Sequence, residues 1–311
     1  MISSKPLINP LLTYLEQRRC QSAALDSRRL FHGRGRCFPG LEFACLDWYE
    51  PLLLLTLYAE PPQGWLEEVR QILAPHLVPA ISCLLVQRRH ESGAPSQVLW
   101  GELPESVYAH WRELRFELSF AQQQNCGFFL DMEPGRQWLA QEAGGKRLLN
   151  LFAYTSSLSV VALAAGAERV VNVDMSSRAL NWSRRNHQLN GLDKARSEFL
   201  AEDILKSWGR IRRRGPYDLV IFDPPSFQPG SFVATKDYGR LVRRIPELMP
   251  EGGKVMACLN APELPADFLL EVFARECPQA ELEQRLLPSP DFVDTNPEQL
   301  LKLLIFRYLP G

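Results

Sequence analysis

The seven cysteines (Cys20, Cys37, Cys45, Cys83, Cys126, Cys258, Cys277) include no CxxC pair, and their number is odd. That pattern excludes a disulfide frame and a structural zinc site, and it points to free thiols in a reducing compartment. The five histidines (His32, His76, His90, His110, His187) show no ligand spacing with each other or with cysteine, so no metal site is expected. Long hydrophobic runs are also missing. The longest, around Leu52 to Ala59, is strand-sized, and Pro6 and Pro10 interrupt the N-terminus, so neither a membrane span nor a leader is read and a soluble cytoplasmic protein is expected. An excess of one charge is absent too, since 35 Lys and Arg stand against 36 Asp and Glu. Net charge therefore gives no global nucleic-acid signal. Residues 1–40 are the exception, with Lys5, Arg18, Arg19, Arg28, Arg29, Arg34 and Arg36 against Glu16 and Asp26. A local basic face follows from that imbalance.

A chain of 311 residues with 46% hydrophobic and 23% charged residues reads as globular, with a core large enough to need no staples and with more than one domain. Residues 1–30 read as a short helix and a basic arm carrying paired arginines. Residues 31–120 read as a small α/β domain, in which HGRGRCFPGL is a glycine-rich turn, Leu52 to Tyr58 and Ile81 to Gln87 are strands, and Gly64 to Leu73 is an amphipathic helix. Two extended stretches, Gln97 to Gly101 and Arg115 to Phe120, link this domain to a larger one over residues 121–311.

The larger domain is organised around Lys146 to Asp174. The apolar run Leu148 to Phe152, a turn at Tyr154 to Ser157, the small-residue helix Leu158 to Ala165 and the run Val170 to Val173 form a strand-turn-helix-strand unit. Beyond it strands and helices alternate: helix Ser177 to Leu189, strand Ser197 to Ala201, helix Ile204 to Ile211, strand Asp218 to Phe222, helix Lys236 to Met249, strand Lys254 to Leu259 and helix Ala266 to Glu276. This pattern predicts a doubly wound, mostly parallel α/β sheet, and the closing runs Leu282 to Leu287 and Leu300 to Tyr308 suit an antiparallel hairpin at its edge.

Such a unit places an acid, Asp174, at the end of its second strand about 20 residues past the first turn, where an adenosine ribose is gripped. A dinucleotide also needs glycines between first strand and helix, and Phe152 to Leu158 has none. S-adenosylmethionine, which has no phosphate, asks for a carboxylate at the ribose, a polar group at the adenine, an amide-rich turn for its methionine end and a motif that positions the acceptor. Asp174, Asp203 followed by Ile204, the Ala153 to Ser157 turn and Asp223-Pro224-Pro225-Ser226-Phe227 stand in that order. An acid after a strand is often only a helix cap, a plain alternative for Asp203. Two prolines stiffen the backbone behind Asp223, and Phe227 can stack on a planar acceptor such as a nucleobase. A class I, Rossmann-like methyltransferase is the reading that results. Methyl transfer needs little beyond alignment in a water-poor pocket, so positioning groups can be the catalytic ones.

The motifs HGRGRCFPGL, GELP (101–104), QNCGFFLD (124–131), NLFAYT (150–155), VDMSSRALNWSRRNHQLNGL (173–192) and DPPSF, taken in order, resemble the bacterial 23S ribosomal RNA methyltransferases that make 5-methylcytosine or N7-methylguanine. The segment VDMSSRALNW is most similar to the N7-guanine branch. The resemblance implies a seven-strand methyltransferase domain behind a smaller α/β domain, S-adenosylmethionine as cofactor and ribosomal RNA as partner, with no membrane role; a homodimer is compatible with it. It also implies that Asn125, Gly127 and Phe128 cover the cofactor, that Phe152, Tyr154, Thr155 and Ser156 form the methionine turn, and that Asp174 with Met175 and Asp203 with Ile204 hold ribose and adenine. Asp223, Pro224, Phe227 and Asn260 then fall at the acceptor site.

Four departures from the family pattern matter. Ser156-Ser157 stand where glycine usually follows the Tyr-Thr pair, so a Cβ is expected to crowd the cofactor's carboxylate end. Glu133 replaces an arginine, and only the basic arm is read where many members begin with a separate RNA-binding domain. The cysteine that attacks cytosine C6 in the family falls on Asn260, with Cys258 two residues earlier on the same strand face. N7 of guanine carries a free lone pair and needs no nucleophile, so guanine is favoured. An RNA-binding or assembly protein with a decayed fold, and a methyltransferase for a protein or small molecule, remain as alternatives. The cluster Arg210, Arg212, Arg213, Arg214 reads as a solvated edge, with contact to phosphates alongside Arg184 and Arg185 as the alternative.

Overall fold

The computed structural model describes residues 5–19, 25–76, 81–120, 125–228 and 232–310. Met1 to Ser4, Cys20 to Ala24, and Ala121 to Gln124 with the first residue of the QNCGFFLD motif lie outside them. The chain divides into two units, Met1–Leu130 with Pro290–Asn296, and Asp131–Ser289 with Pro297–Gly311.

In the first unit, helix α1 (Lys5–Arg19) buries Leu7, Ile8, Leu11, Tyr14 and Leu15, a helical spacing that puts one apolar face against the core. Strands β1 (Arg28–His32), β2 (Ala44–Tyr49), β3 (Leu52–Leu57), β4 (Cys83–Arg88) and β5 (Ser96–Gly101) form one sheet in that order. Only β3 and β4 pair in parallel, joined through helix α2 (Trp65–Leu73), as a crossover requires. Strands β6 (Val107–Trp111) and β7 (Leu114–Leu118) make a separate hairpin. The sequence places Arg28 and Arg29 in a polar arm, whereas the structure places both on β1. There Arg29 is held in a two-point ion pair with buried Asp47 of β2 (2.7 and 3.0 Å), and Arg28 pairs with Asp291. A charge inside a buried strand is tolerated when it is paired in this way.

The second unit opens with α3 (Glu133–Glu142), β8 (Arg147–Leu151), α4 (Ser157–Ala164), β9 (Arg169–Asp174), α5 (Ser177–Leu189) and β10 (Ser197–Ala201). It continues with α6 (Trp208–Arg212), β11 (Leu219–Phe222), the two-residue strands β12 (Phe227–Gln228) and β13 (Phe232–Val233), α7 (Ala234–Val242) and α8 (Ile245–Leu248). Strand β14 (Lys254–Leu259), α9 (Ala266–Glu276), β15 (Ala280–Leu286) and β16 (Lys302–Tyr308) complete it. The seven-stranded sheet runs β10-β9-β8-β11-β14-β16-β15, parallel except for β16, which is antiparallel to both its neighbours. Strand β11 is central and the order reverses between β8 and β11, so the carboxyl ends of β8, β9 and β11 open at one switch point, where ligands of such sheets bind. Edge strand β15 is protected by charge, its exposed stretch carrying Glu281, Glu283 and Arg285.

Two long helices expected from the sequence are broken. Ile204–Lys206 is a 3-10 turn ahead of the five-residue α6, because Asp203 caps that turn. Helices α7 and α8 part at Arg243 and Arg244, because Pro246 has no N–H to continue one helix through this point and is tolerated only in the first turn of α8. No described helix is long and apolar enough to cross a membrane.

Candidate active site

Strand β8 delivers the chain into a turn where Phe152 (φ 58°), Tyr154 (φ 47°) and Ser156 (φ 59°) all take left-handed backbone. This region costs a residue with a side chain about 1 kcal/mol or more, so something must hold it. The Ala153 N–H donates to Val173 O (3.0 Å), the Ser156 N–H closes on Ala153 O (2.7 Å), and the Tyr154 N–H donates to Asp174 Oδ2 (2.8 Å). Asp174 Oδ1 accepts from the Ser176 N–H (2.8 Å), so one carboxylate ties the turns after β8 and β9 together. Burial raises the Asp174 carboxyl above the usual range, opposed by its two backbone donors. Each oxygen keeps acceptor capacity, and together they suit the paired hydroxyls of a ribose.

Ser156 is the N-cap residue of α4 but makes no side-chain capping bond, and its Oγ is buried without a hydrogen-bond partner. A buried hydroxyl left unmatched costs about 1–3 kcal/mol. An orphaned donor in the turn expected to receive a carboxylate is an observation that fits S-adenosylmethionine. Around it, Thr155 is buried with its carbonyl accepting from Asn186 Nδ2 (3.1 Å), Phe152 meets Phe232 edge-on at 5.2 Å, and Tyr154 faces Trp182 at 6.1 Å. Met175 is half exposed, and Gln228 Nε2 lies 3.4 Å from its sulfur.

Sequence reading misses the polar chain beneath this turn. Asn150 Nδ2 donates to Asn172 Oδ1 (3.0 Å), Asn172 Nδ2 to Ser159 Oγ (3.1 Å), and Ser159 Oγ meets His187 Nε2 (3.0 Å). His187 Nδ1 meets Ser183 O (2.8 Å), a carbonyl that only accepts, so the proton sits on Nδ1 and Ser159 donates to Nε2. Burial lowers the imidazole to about 4, which keeps it neutral and the chain of donors intact. The available signal was an asparagine inside each of two apolar strands, at positions that pair directly across the sheet.

Asp203 is engaged by its own turn: Oδ1 accepts from the Leu205 N–H (3.1 Å), Oδ2 pairs with Lys206 (2.8 Å), and Ile204 is buried beside it. Asp223 follows β11, with Pro224 buried and Phe227 64% exposed on β12. The Asp223 carboxyl is pushed up to about 7 by burial and by the Asp131 carboxylate, against a hydrogen bond from the Cys258 thiol. Cys258 is fully buried on β14, and burial, together with Asp223 and Asp131, drives its thiol far above the ordinary range. Asn260, just past β14, is exposed. Asp131 thus joins the Asp223 cluster; the sequence showed it only as the end of the QNCGFFLD motif. Glu133 pairs with buried Arg136 (3.3 Å).

Asn125, Gly127 and Phe128 are counted in the first unit. Phe128 is buried against Phe116 (4.8 Å), Gly127 has a φ of 112°, and Asn125 Oδ1 accepts from Arg89 (3.3 Å). Glu60, His90 and Glu91 gather at the surface of the same unit with their polar atoms within 4.8 Å of one another.

Comparison with known proteins bears on this arrangement. The family model described as S-adenosylmethionine-dependent methyltransferase matches residues 28–307. The ribosomal RNA large subunit methyltransferase I of Escherichia coli is 29% identical over 262 residues, 82% of this chain and 66% of that protein. Its counterpart from Aeromonas salmonicida is 30% identical over 210 residues, 65% of this chain and 52% of that one. The chain thus spans between about half and just under two thirds of these relatives' length. Among solved structures, a SAM-dependent methyltransferase from Streptococcus mutans superposes with a TM-score of 0.80 at 24% identity, over 96% of this chain and 79% of that one. The M. jannaschii tRNA m1G37 methyltransferase gives 0.63 at 15%, over 86% and 75%. Both structural likenesses concern the fold.

Proposed function

The chain belongs to the S-adenosylmethionine-dependent methyltransferase family, and on that footing we propose that it methylates a base of ribosomal RNA, in particular 23S RNA. The observation that carries this reading is the gathering of Asp174, the strained Phe152 to Ser156 turn and Asp223 at the carboxyl ends of β9, β8 and β11. The ribosomal RNA substrate is taken from the names of the curated relatives.

Bound S-adenosylmethionine supplies an electrophilic methyl group on its sulfonium sulfur. Asp174 would accept from the ribose hydroxyls, Ser156 Oγ would donate to the methionine carboxylate, and Phe152 and Tyr154 would wall the site. Asp203, already capping its turn, has spare acceptor capacity for the adenine amine. Asp223, held rigid by Pro224 and Pro225, would align the target base through that base's N–H donors, and Phe227 would stack on it.

Cys258 favours guanine over C5 of cytosine. A C5 enzyme needs an accessible thiolate, whereas this thiol is buried, donates to Asp223 and is raised far above the ordinary range. Nitrogen N7 of guanine already carries the lone pair that the transfer requires.

Calorimetry and turnover test the assignment together. Wild-type protein binds S-adenosylmethionine, Asp174→Ala abolishes binding, and Asp223→Ala binds normally but transfers no methyl group to RNA. Normal turnover by Asp223→Ala would refute the acceptor-site assignment, and no binding by the wild type at millimolar cofactor would refute the enzyme reading.

A further inference from the structure

Three cations of the basic N-terminal stretch are matched by carboxylates: Arg28 with Asp291, Arg29 with Asp47, and Arg36 with Asp294 (3.4 Å). Arg34 differs. No carboxylate among the described residues lies within ion-pair distance of it, and its guanidinium carbon rests 4.3 Å from the centroid of the Tyr58 ring. Arg89, also without an ion pair among the described residues, lies 5.7 Å from the same centroid and donates to Asn125. These residues share one edge. Arg34 follows β1, Tyr58 follows β3 and Arg89 follows β4; β1 and β3 are both antiparallel to β2, and β4 is parallel to β3, so all three leave at the carboxyl ends.

The backbone carrying Arg34 is built for this display. In Gly33-Arg34-Gly35-Arg36 the glycines are buried and the arginines exposed. A Cβ on Gly33 would run into the carbonyl oxygens of Leu41 and Ala44, and one on Gly35 into that of Val293. The Gly35 carbonyl also accepts from the Thr295 N–H (2.9 Å). The loop is clamped on both sides, which fixes where Arg34 leaves the surface. Nearby acids are spent locally, with His90 between Glu60 (3.1 Å) and Glu91 (3.7 Å), and Arg88 on Glu91 (3.6 Å).

Two guanidinium groups over one ring, with no carboxylate between them, repel each other; a polyanion relieves that repulsion. The tyrosine pre-orders both side chains and so lowers the entropy lost on binding. We propose that Arg34 and Arg89, ordered by Tyr58, form a phosphate-binding site for the RNA backbone on the first unit. The identity of the polyanion rests on the RNA reading above.

The test is fluorescence anisotropy of a labelled single-stranded RNA with the full chain across a salt series. Each phosphate contact adds about 0.7 to the slope of log affinity against log salt for single strands, so Arg34→Gln/Arg89→Gln should lower the slope by about 1.4 and weaken binding about tenfold or more at low salt. Tyr58→Leu keeps both charges but releases them, and should weaken binding with the slope nearly unchanged. Arg70→Gln, which removes a cation paired with Glu67 on α2, should bind as wild type does. Circular dichroism and the melting temperature report the fold and should match wild type in every variant. A double variant with wild-type affinity and slope overturns the phosphate site while leaving the RNA reading standing; a wild type with no salt-dependent RNA affinity overturns both.

Discussion

Ser156→Gly should stabilise the apo-protein and weaken its hold on S-adenosylmethionine. Ser156 takes a φ of 59° with its Oγ buried and unpartnered. The left-handed backbone costs about 1 kcal/mol and the unmatched hydroxyl about 1–3 kcal/mol. Glycine removes both terms, gives back about 1 kcal/mol of unfolded-chain entropy, and loses no capping bond because none exists. The net is about 1–3 kcal/mol, a rise of about 2–12 °C in the melting temperature of a unit of this size. Melting must be followed without cofactor, since bound ligand adds its own stabilisation. Calorimetry on the same variant should show two- to tenfold weaker cofactor binding, the value of about 0.5–1.5 kcal/mol for one hydrogen bond. Tighter binding would mean that the serine crowds the cofactor, as the sequence comparison alone suggests. A lower melting temperature would refute the strain argument itself.

Three further outcomes follow from the buried groups. Cys258→Ala should retain methyl transfer to RNA, because its thiol is a hydrogen-bond donor to Asp223 and no nucleophile; loss of turnover with intact cofactor binding would point back to cytosine C5. Transfer should rise between about pH 6 and 8 with a midpoint near 7, as the Asp223 carboxyl, pushed up to about 7, ionises and becomes an acceptor; a flat profile over that range would contradict its role. His187, lowered to about 4 by burial, takes up a proton more readily when unfolded, so it contributes stability at neutral pH that is lost as pH falls from about 6.5 toward 4, on the order of 3 kcal/mol. His32, lowered to about 3 by burial and by Arg29 and Arg34, acts in the same sense. The readout is therefore the difference in denaturant midpoint between wild type and His187→Gln along that acid limb, and parallel curves would argue against the assignment.

The sheet of the second unit was legible because its strands are short apolar runs and its helices carry their own stops. Helices α5 and α9 and strands β10 and β14 fall on the residues that periodicity assigns. Helices failed where local chemistry overrode periodicity, at the Asp203 cap and ahead of Pro246. Strands β1 and β2 escaped notice because a buried strand beginning Arg28-Arg29 makes sense only once Asp47 is seen beside it. In the site, Asp174 and Asp223 were legible as acids ending apolar runs. The strain at Phe152, Tyr154 and Ser156 was hidden, since left-handed backbone is normally announced by glycine and none is present. Asp131 and Cys258 come together with Asp223 only through tertiary packing, which spacing along the chain does not encode.

Methyl transfer from S-adenosylmethionine to unmodified large-subunit ribosomal RNA, followed by mass analysis of the digested nucleosides, bears most directly on the central claim. A single methylated base, with guanosine as the parent nucleoside, is the predicted result. No transfer to RNA, or a methyl group found only on ribose or on protein, would contradict it.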